Sequence, residues 1–258
     1  MYENKSIGVV ILAYDVEPFI KNVIEELPDF IDRIYVIDDC SKDNTYQIVF
    51  EQQHPKVTLI RHEINQGPGG GLKTGYKAAL IDKVDIVVKV DGDGQMPPEQ
   101  IEHLIKPIIH NKADYTKGNR LQSDPGKHGM PRFRMVGNHL LTWLTRIESG
   151  YWHVSDTQNG FTAISKKALS TIDTGFCSYY GYLNDVLARL NVYEFKVLDI
   201  PMPAKYGKEK SKIKLHRFIP KVSLILFRIF VWRLKVKYFK ILRNKNNRPT
   251  SLQRITKG

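Results

Sequence analysis

Two cysteines, Cys40 and Cys177, stand far apart in a chain of 258 residues, which excludes a disulfide framework and points to a reducing compartment. The sequence has no internal repeat and no low-complexity linker. It also lacks an N-terminal targeting pattern: Met1–Ser6 is polar, and the apolar run that follows, 7–13, is short and has no basic flank. No stretch offers the ~20 uninterrupted apolar residues that a membrane-spanning helix needs. The glycine run at 67–71 has no Gly-Lys-Ser/Thr ending, so it is not a Walker loop, and it does not fit the dinucleotide fingerprint. Acids are almost missing from the C-terminal segment. From Lys205 onward stand 17 of the 39 Lys and Arg but one of the 27 acids, Glu209, a net charge of +16, while the rest of the chain nets −4. Such a block marks an interaction surface, nucleic acid or anionic membrane.

What is present is an alternation of short apolar runs with helical spacing. Strands are expected at 7–13, 34–37, 57–60 and up to Asp91. Helices are expected over 17–27, from Ser41 to about Gln53, from about Leu72 to Leu80, and from Glu99. Strands separated by helices imply right-handed crossovers and a largely parallel sheet covered on both faces. Beyond it, 117–131 reads as a polar loop followed by a helix through about Glu148. Strands are expected at 161–164 and 195–200, with a helix around 183–190. At 42% hydrophobic, the chain can form one large domain with an appendage.

The residues that carry chemistry fall at strand ends. Asp91-Gly92-Asp93-Gly94-Gln95-Met96-Pro97-Pro98-Glu99 follows an apolar strand. Carboxylates two residues apart on an extended backbone share a side, and they repel unless a cation sits between them. Hard oxygen ligands of this kind suit Mg²⁺ or Mn²⁺, bound jointly with substrate phosphates, and Gln95 adds an amide oxygen. Asp38-Asp39 ends the second strand, where acids meet ribose or base in nucleotide folds. Ser41 and Asp43 offer capping for the next helix, which would leave the pair free.

The basic segment carries Lys221, Arg228 and Lys235 at seven-residue spacing, with Leu224, Phe227, Val231 and Leu234 expected away from them. The layout fits a helix lying in an anionic membrane interface, with Phe227, Phe230, Trp232 and Phe239 embedded. The competing expectation is a helix packed on the core with snorkelling basic heads.

Five motifs, in order, resemble those of the inverting glycosyltransferases of family 2 with the GT-A fold, closest to the dolichyl- and polyprenyl-phosphate sugar transferases. They are 11–17, 35–43, 65–75, 91–99 and 156–161, within a resemblance that spans roughly 7–214. The resemblance implies a mostly parallel α/β catalytic domain over 1–212 and a basic amphipathic tail over 213–258. It puts Ala13, Tyr14, Glu17 and Asp39 around the nucleoside, and Asp91, Asp93 and Gln95 on a metal and the diphosphate. Arg120 and Arg134 become candidates for phosphate, and Asp156, Gln158, Asn159 and Lys212 lie on the acceptor side. The chain departs from the lipid-phosphate subgroup at 206–212, where an Arg often precedes Gly-x-Ser-Lys. Asn184-Asp185 resembles the acidic pair that supplies a base in other family members. The acceptor is therefore expected to be a polyprenyl or dolichyl phosphate, the alternative being a sugar hydroxyl of a lipid-linked glycan with Asp185 as general base. The expected partners are a nucleotide sugar and the cytoplasmic face of an anionic membrane, with the enzyme peripheral and no nucleic acid bound. A nucleic-acid-binding protein would leave Asp91 and Asp93 unexplained. A nucleotidyltransferase would be expected to carry a basic glycine-rich loop at the first strand, where Ala13-Tyr14-Asp15 stands.

Overall fold

The computed structural model describes residues 1–120, 142–157, 159–172, 175–179, 181–203 and 215–246, with side chains in the last segment from 223 to 239. Arg134, Gln158 and Lys212 therefore lie outside the described residues. Four strands, β1 (Ile7–Ala13), β2 (Arg33–Asp38), β3 (Val57–Arg61) and β4 (Ile86–Asp91), alternate with α1 (Ile20–Glu25), α2 (Thr45–Gln52) and α3 (Pro68–Ile81). Then come α4 (Ile101–Ile109), β5 (Tyr115–Asn119), a helix α5 over 142–149, β6 (Thr162–Ser165), α6 (Lys166–Ile172), α7 (Tyr182–Val192), β7 (Val197–Pro201) and α8 (Leu215–Asn246).

The strands form one sheet in the order β3-β2-β1-β4-β6-β5-β7. β6 pairs antiparallel with both neighbours and the remaining pairs are parallel, so the sheet is mostly parallel, as the alternation implied. Period-two alternation divides the core. Ile7, Val9 and Ile11 of β1 pack with α1 and α4 on one face. Val10, with Val87 of β4, packs against α3, α6 and α7 on the other. The chain winds outward from β1 to β3 and then returns to place β4 on the far side of β1. This reversal leaves a crevice beyond the C-terminal ends of β1 and β4, where open α/β sheets bind ligands.

Three local expectations give way. Helix α3 begins at Pro68, not Leu72, so the glycine run is its first turn. The run is a landing surface: a Cβ on Gly69 would stand 2.2 Å from the Cys177 carbonyl, and the Gly70 N–H donates to the Ser178 carbonyl at 3.0 Å. Residues 115–119 form a strand where the sequence predicts the start of a loop. Its polar residues are buried because partners await them: Lys117 donates to the Asp156 carbonyl and Asn119 to Asp199.

The basic helix is not a free appendage either. Gly181, just before α7, and Arg189 and Asn191 within it meet 225, 232 and 233 of α8 in ascending order, so the two helices run parallel. Leu226, Ile229 and Arg233 are buried in this contact. Arg233 donates to the Ile147 carbonyl at 2.9 Å and to Asn191 at 3.3 Å. Of the four aromatics expected to be embedded, Phe227 and Phe239 are exposed. Trp232 instead lies under the Arg189 guanidinium, and Phe230 under that of Arg233. Leu224, Phe227, Leu234 and Tyr238 form an outward apolar face opposite the docked one, with Arg228 and Lys235 exposed beside it. The helix is thus packed on the fold, as the competing expectation had it, and its other side is exposed. Among the described residues no helix is long and apolar enough to cross a membrane.

Candidate active site

Among the described residues, two cavities open at the C-terminal ends of β1 and β4. The larger, about 460 Å³, lies in the β1/β4 crevice and is lined by Ala13, Tyr14, Asp39, Asn65, Gly67, Asp91, Asp93 and Tyr179, among others. The smaller, about 230 Å³, is lined by Asp91, Asp93, Gln95, Arg120, Asn159, Gly160 and Met202, among others. Asp91 and Asp93 line both, and so form a shared wall between them.

The wall is built from β4. Asp91 is the last strand residue, and its N–H donates to the Met96 sulfur. Gly92 passes close under β1, its N–H donating to the Leu12 carbonyl at 2.9 Å. Asp93 then turns, Oδ1 accepting the Gln95 N–H at 3.0 Å, while Gly94 takes a positive φ of 71°. Asp91 Oδ1 accepts from Lys89 at 2.5 Å, which leaves Oδ2 near Gly160. Among the described residues no third acidic, histidine or cysteine side chain joins to complete a protein-only metal cage. Two carboxylates and an amide fit a hard cation that keeps substrate phosphates in its shell.

Ala13 and Tyr14 line the larger cavity. Asp39 lines the wall too, but its carboxylate is engaged: it accepts His62 at 2.7 Å and the N–H groups of Gln66 and Gly67 at 2.8 Å. His62 passes the chain of contacts on to Thr74. Asp38 is fully buried and ion-paired with Arg61 at 3.2 Å. The pair is not left free, because a carboxylate at the end of a buried strand takes the nearest donors. Glu17 is not among the residues lining either cavity. It receives the Asn44 N–H and side-chain amide at the start of α2.

On the other side, Arg120 reaches the smaller cavity from the end of β5. It makes a bidentate pair with the buried Asp156, at 2.8 and 2.9 Å, and its own N–H donates to the same carboxylate. Asn159 is buried and accepts the Phe161 N–H. Asp185 heads α7 but is not among the described residues lining either cavity. Its Oδ1 accepts from Arg189 and its Oδ2 from the Cys177 N–H, both at 2.9 Å. The sequence reading passed over Lys89, Tyr179 and Met202. Of these only Lys89 carried a signal, a lysine two residues before Asp91 in an apolar strand.

Residues 8–173 match the family model described as glycosyl transferase family 2. The chain belongs to that family. This glycosyltransferase is 33% identical over 255 residues to the UDP-N-acetylglucosamine–dolichyl-phosphate N-acetylglucosaminyltransferase of Methanococcus voltae, covering 93% of this chain and 99% of that one. It is 25% identical to the undecaprenyl-phosphate mannosyltransferase of Micrococcus luteus, over 70% of this chain and 79% of that one. Among solved structures, glucosyl-3-phosphoglycerate synthase of Mycobacterium tuberculosis, in complex with Mn²⁺, UDP and phosphoglyceric acid, superposes with a TM-score of 0.64. It is 19% identical, over 89% of this chain and 78% of that one. That likeness establishes the GT-A fold.

Proposed function

We propose that this glycosyltransferase moves a sugar from a nucleotide sugar to a polyprenyl or dolichyl phosphate, with inversion, using Mg²⁺ or Mn²⁺, at the cytoplasmic face of a membrane. The observation that carries the reading is the shared wall. Asp91 and Asp93 stand between a cavity of nucleotide size and a smaller one that holds Arg120. In this reading Ala13, Tyr14 and Asp39 border the nucleoside, and Asp91, Asp93 and Gln95 hold the cation with the diphosphate. When bound, the cation neutralises charge that develops on the departing nucleoside diphosphate.

A phosphate oxygen of the acceptor, placed beside Arg120, attacks the anomeric carbon from the side opposite the diphosphate. The bond from that carbon to the diphosphate oxygen breaks, and its electron pair leaves with the nucleoside diphosphate. A phosphate needs no proton removed, whereas a hydroxyl does. The engagement of Asp185 with Arg189 and Cys177, away from both cavities, supports the phosphate. The relatives from M. voltae and M. luteus, by their names, share a polyprenyl-type phosphate acceptor and differ in the sugar. The pair named for the M. voltae relative, UDP-N-acetylglucosamine and dolichyl phosphate, is the first to test. The outward apolar face of α8, with its basic flank, supports docking on anionic lipid.

The test is a transfer assay with UDP-N-acetylglucosamine, Mn²⁺ and dolichyl phosphate, with undecaprenyl phosphate in parallel. The expected product is β-linked to the lipid phosphate. Asp93→Asn should lower the rate by about 10²–10³-fold, the usual cost of losing one charge-stabilising group. Undiminished turnover in excess EDTA would remove the cation from the reading, and transfer to glycan hydroxyls alone would overturn the acceptor.

A further inference from the structure

Lys89 sits in the middle of β4, between Val88 and Val90, and is 1% exposed. The transfer outlined above gives it no task. Strand alternation places it on the face of Asp91, and its ammonium donates to Asp91 Oδ1 at 2.5 Å. Tyr182, the first residue of α7, stands beside the ammonium. At 2.5 Å the buried ammonium and the Asp91 carboxylate form an ion pair. Gly160 completes the chamber: a Cβ there would stand 2.3 Å from Nζ and 3.2 Å from Asp91 Oδ2. A buried ammonium is costly unless it is paired. Three separate elements, β4, α7 and the approach to β6, are shaped to keep this one.

We propose that Lys89 is a positioning residue that serves as the fixed cation of the diphosphate site, so that the site takes a divalent cation together with a nucleoside diphosphate rather than alone. This rests on the reading of Asp91 and Asp93 as the site's carboxylates. Without Lys89 the two carboxylates would present two negative charges, which attract a bare divalent cation and repel a diphosphate. With it they present one. Arg120 does not alter this balance, since Asp156 already pairs with it in bidentate fashion. Lys89 also fixes which Asp91 oxygen remains for the ligand.

The two charge effects have opposite signs, and that makes the proposal testable. Calorimetry on the full-length protein would measure three affinities: Mn²⁺ alone, UDP alone in EDTA, and UDP with Mn²⁺. In Lys89→Met, Mn²⁺ alone should bind about tenfold tighter and UDP in EDTA about tenfold weaker, as expected for one unit charge removed a few ångströms away. A residue that only supported the fold would weaken both. Should Lys89→Met fail to fold, Gly160→Ala pushes the ammonium off Asp91 and should shift both affinities in the same opposed senses, by less. Movement of the two in one direction, or of neither, overturns the proposal. Asp91→Asn is measured alongside. If it leaves Mn²⁺-dependent UDP binding unchanged, the reading of the carboxylates fails; if it weakens that binding while the lysine and glycine variants move nothing, only the role of Lys89 fails.

Discussion

In the β3-β2-β1-β4 half of the sheet the strands are mainly apolar and the acids gather at or beyond their ends, largely held by backbone donors. Asp39 accepts the N–H groups of Gln66 and Gly67, Asp43 those of Glu17 and Thr45, and Asp32 that of Ile7. In the β6-β5-β7 half, charge runs through the strands and is met mainly by opposite charge. Lys117 of β5 lies 3.5 Å from Asp199 of β7, Arg120 pairs with Asp156, and on the helices behind them Arg189 pairs with Asp185. Burial draws Lys117 down and Asp199 up in pKa, each partly restored by the other. Backbone donors are fixed by the fold and survive most substitutions. A buried ion pair depends on both of its members, so the β6-β5-β7 half, which the proposed function gives to the acceptor as it gives the other half to the nucleotide, is the more vulnerable to single changes.

The largest effect that would break this contrast is on stability. Lys117→Met should cost about 3–5 kcal/mol in urea unfolding, because Asp199 is left buried without its cation. In the nucleotide half, His62→Leu leaves Asp39 its two backbone donors and should cost about 1–3 kcal/mol. Equal losses would erase the distinction between the halves.

A second, smaller effect sharpens the account of α8, which belongs to the acceptor half. Phe227 is 62% exposed and Leu226 beside it 4%. Phe227→Ser should weaken binding to anionic liposomes by about 1.5–3 kcal/mol, the worth of one large apolar side chain, with the melting temperature unchanged. Leu226→Ala should do the reverse. If both variants alter only stability, the outward face is not a lipid surface. The smallest effect is expected at Asp185→Asn, whose turnover should stay well above the ~10²-fold loss that follows removal of a general base. A loss of that size with donor affinity intact would make the acceptor a hydroxyl.

The nucleotide half was largely legible in the sequence, because its strands are apolar runs ended by acids and its helices repeat at 3.6. The family followed from motifs in order, and the match over 8–173 agrees with it. What escaped was polarity inside the fold. The stretch 117–119 reads as loop because Lys117 and Asn119 are polar; only their partners, some 80 residues on in β7, make it part of a strand. Helix α3 starts early because Pro68 opens it and the segment 177–179 packs on its glycines, a contact no local pattern announces. Asp38, Asp39 and Glu17 were assigned by position along the chain, yet their bonding is set by residues 61–67 and by Asn44. The docking of α8 was only the competing expectation, since one wheel cannot say which side meets protein.

One more consequence follows from the reversal of β6. Because it runs against its neighbours, the chain leaving β5 at Asn119 and the chain entering β6 at Thr162 stand at the same edge of the sheet. The connection between them begins and ends beside the smaller cavity and supplies Arg120, Asn159 and Gly160 to its wall. A connection anchored at both ends can change length without shifting the register of any strand. Divergence within this connection can therefore reshape the smaller cavity while the β1 side of the larger one, behind the shared wall of Asp91 and Asp93, is inherited intact.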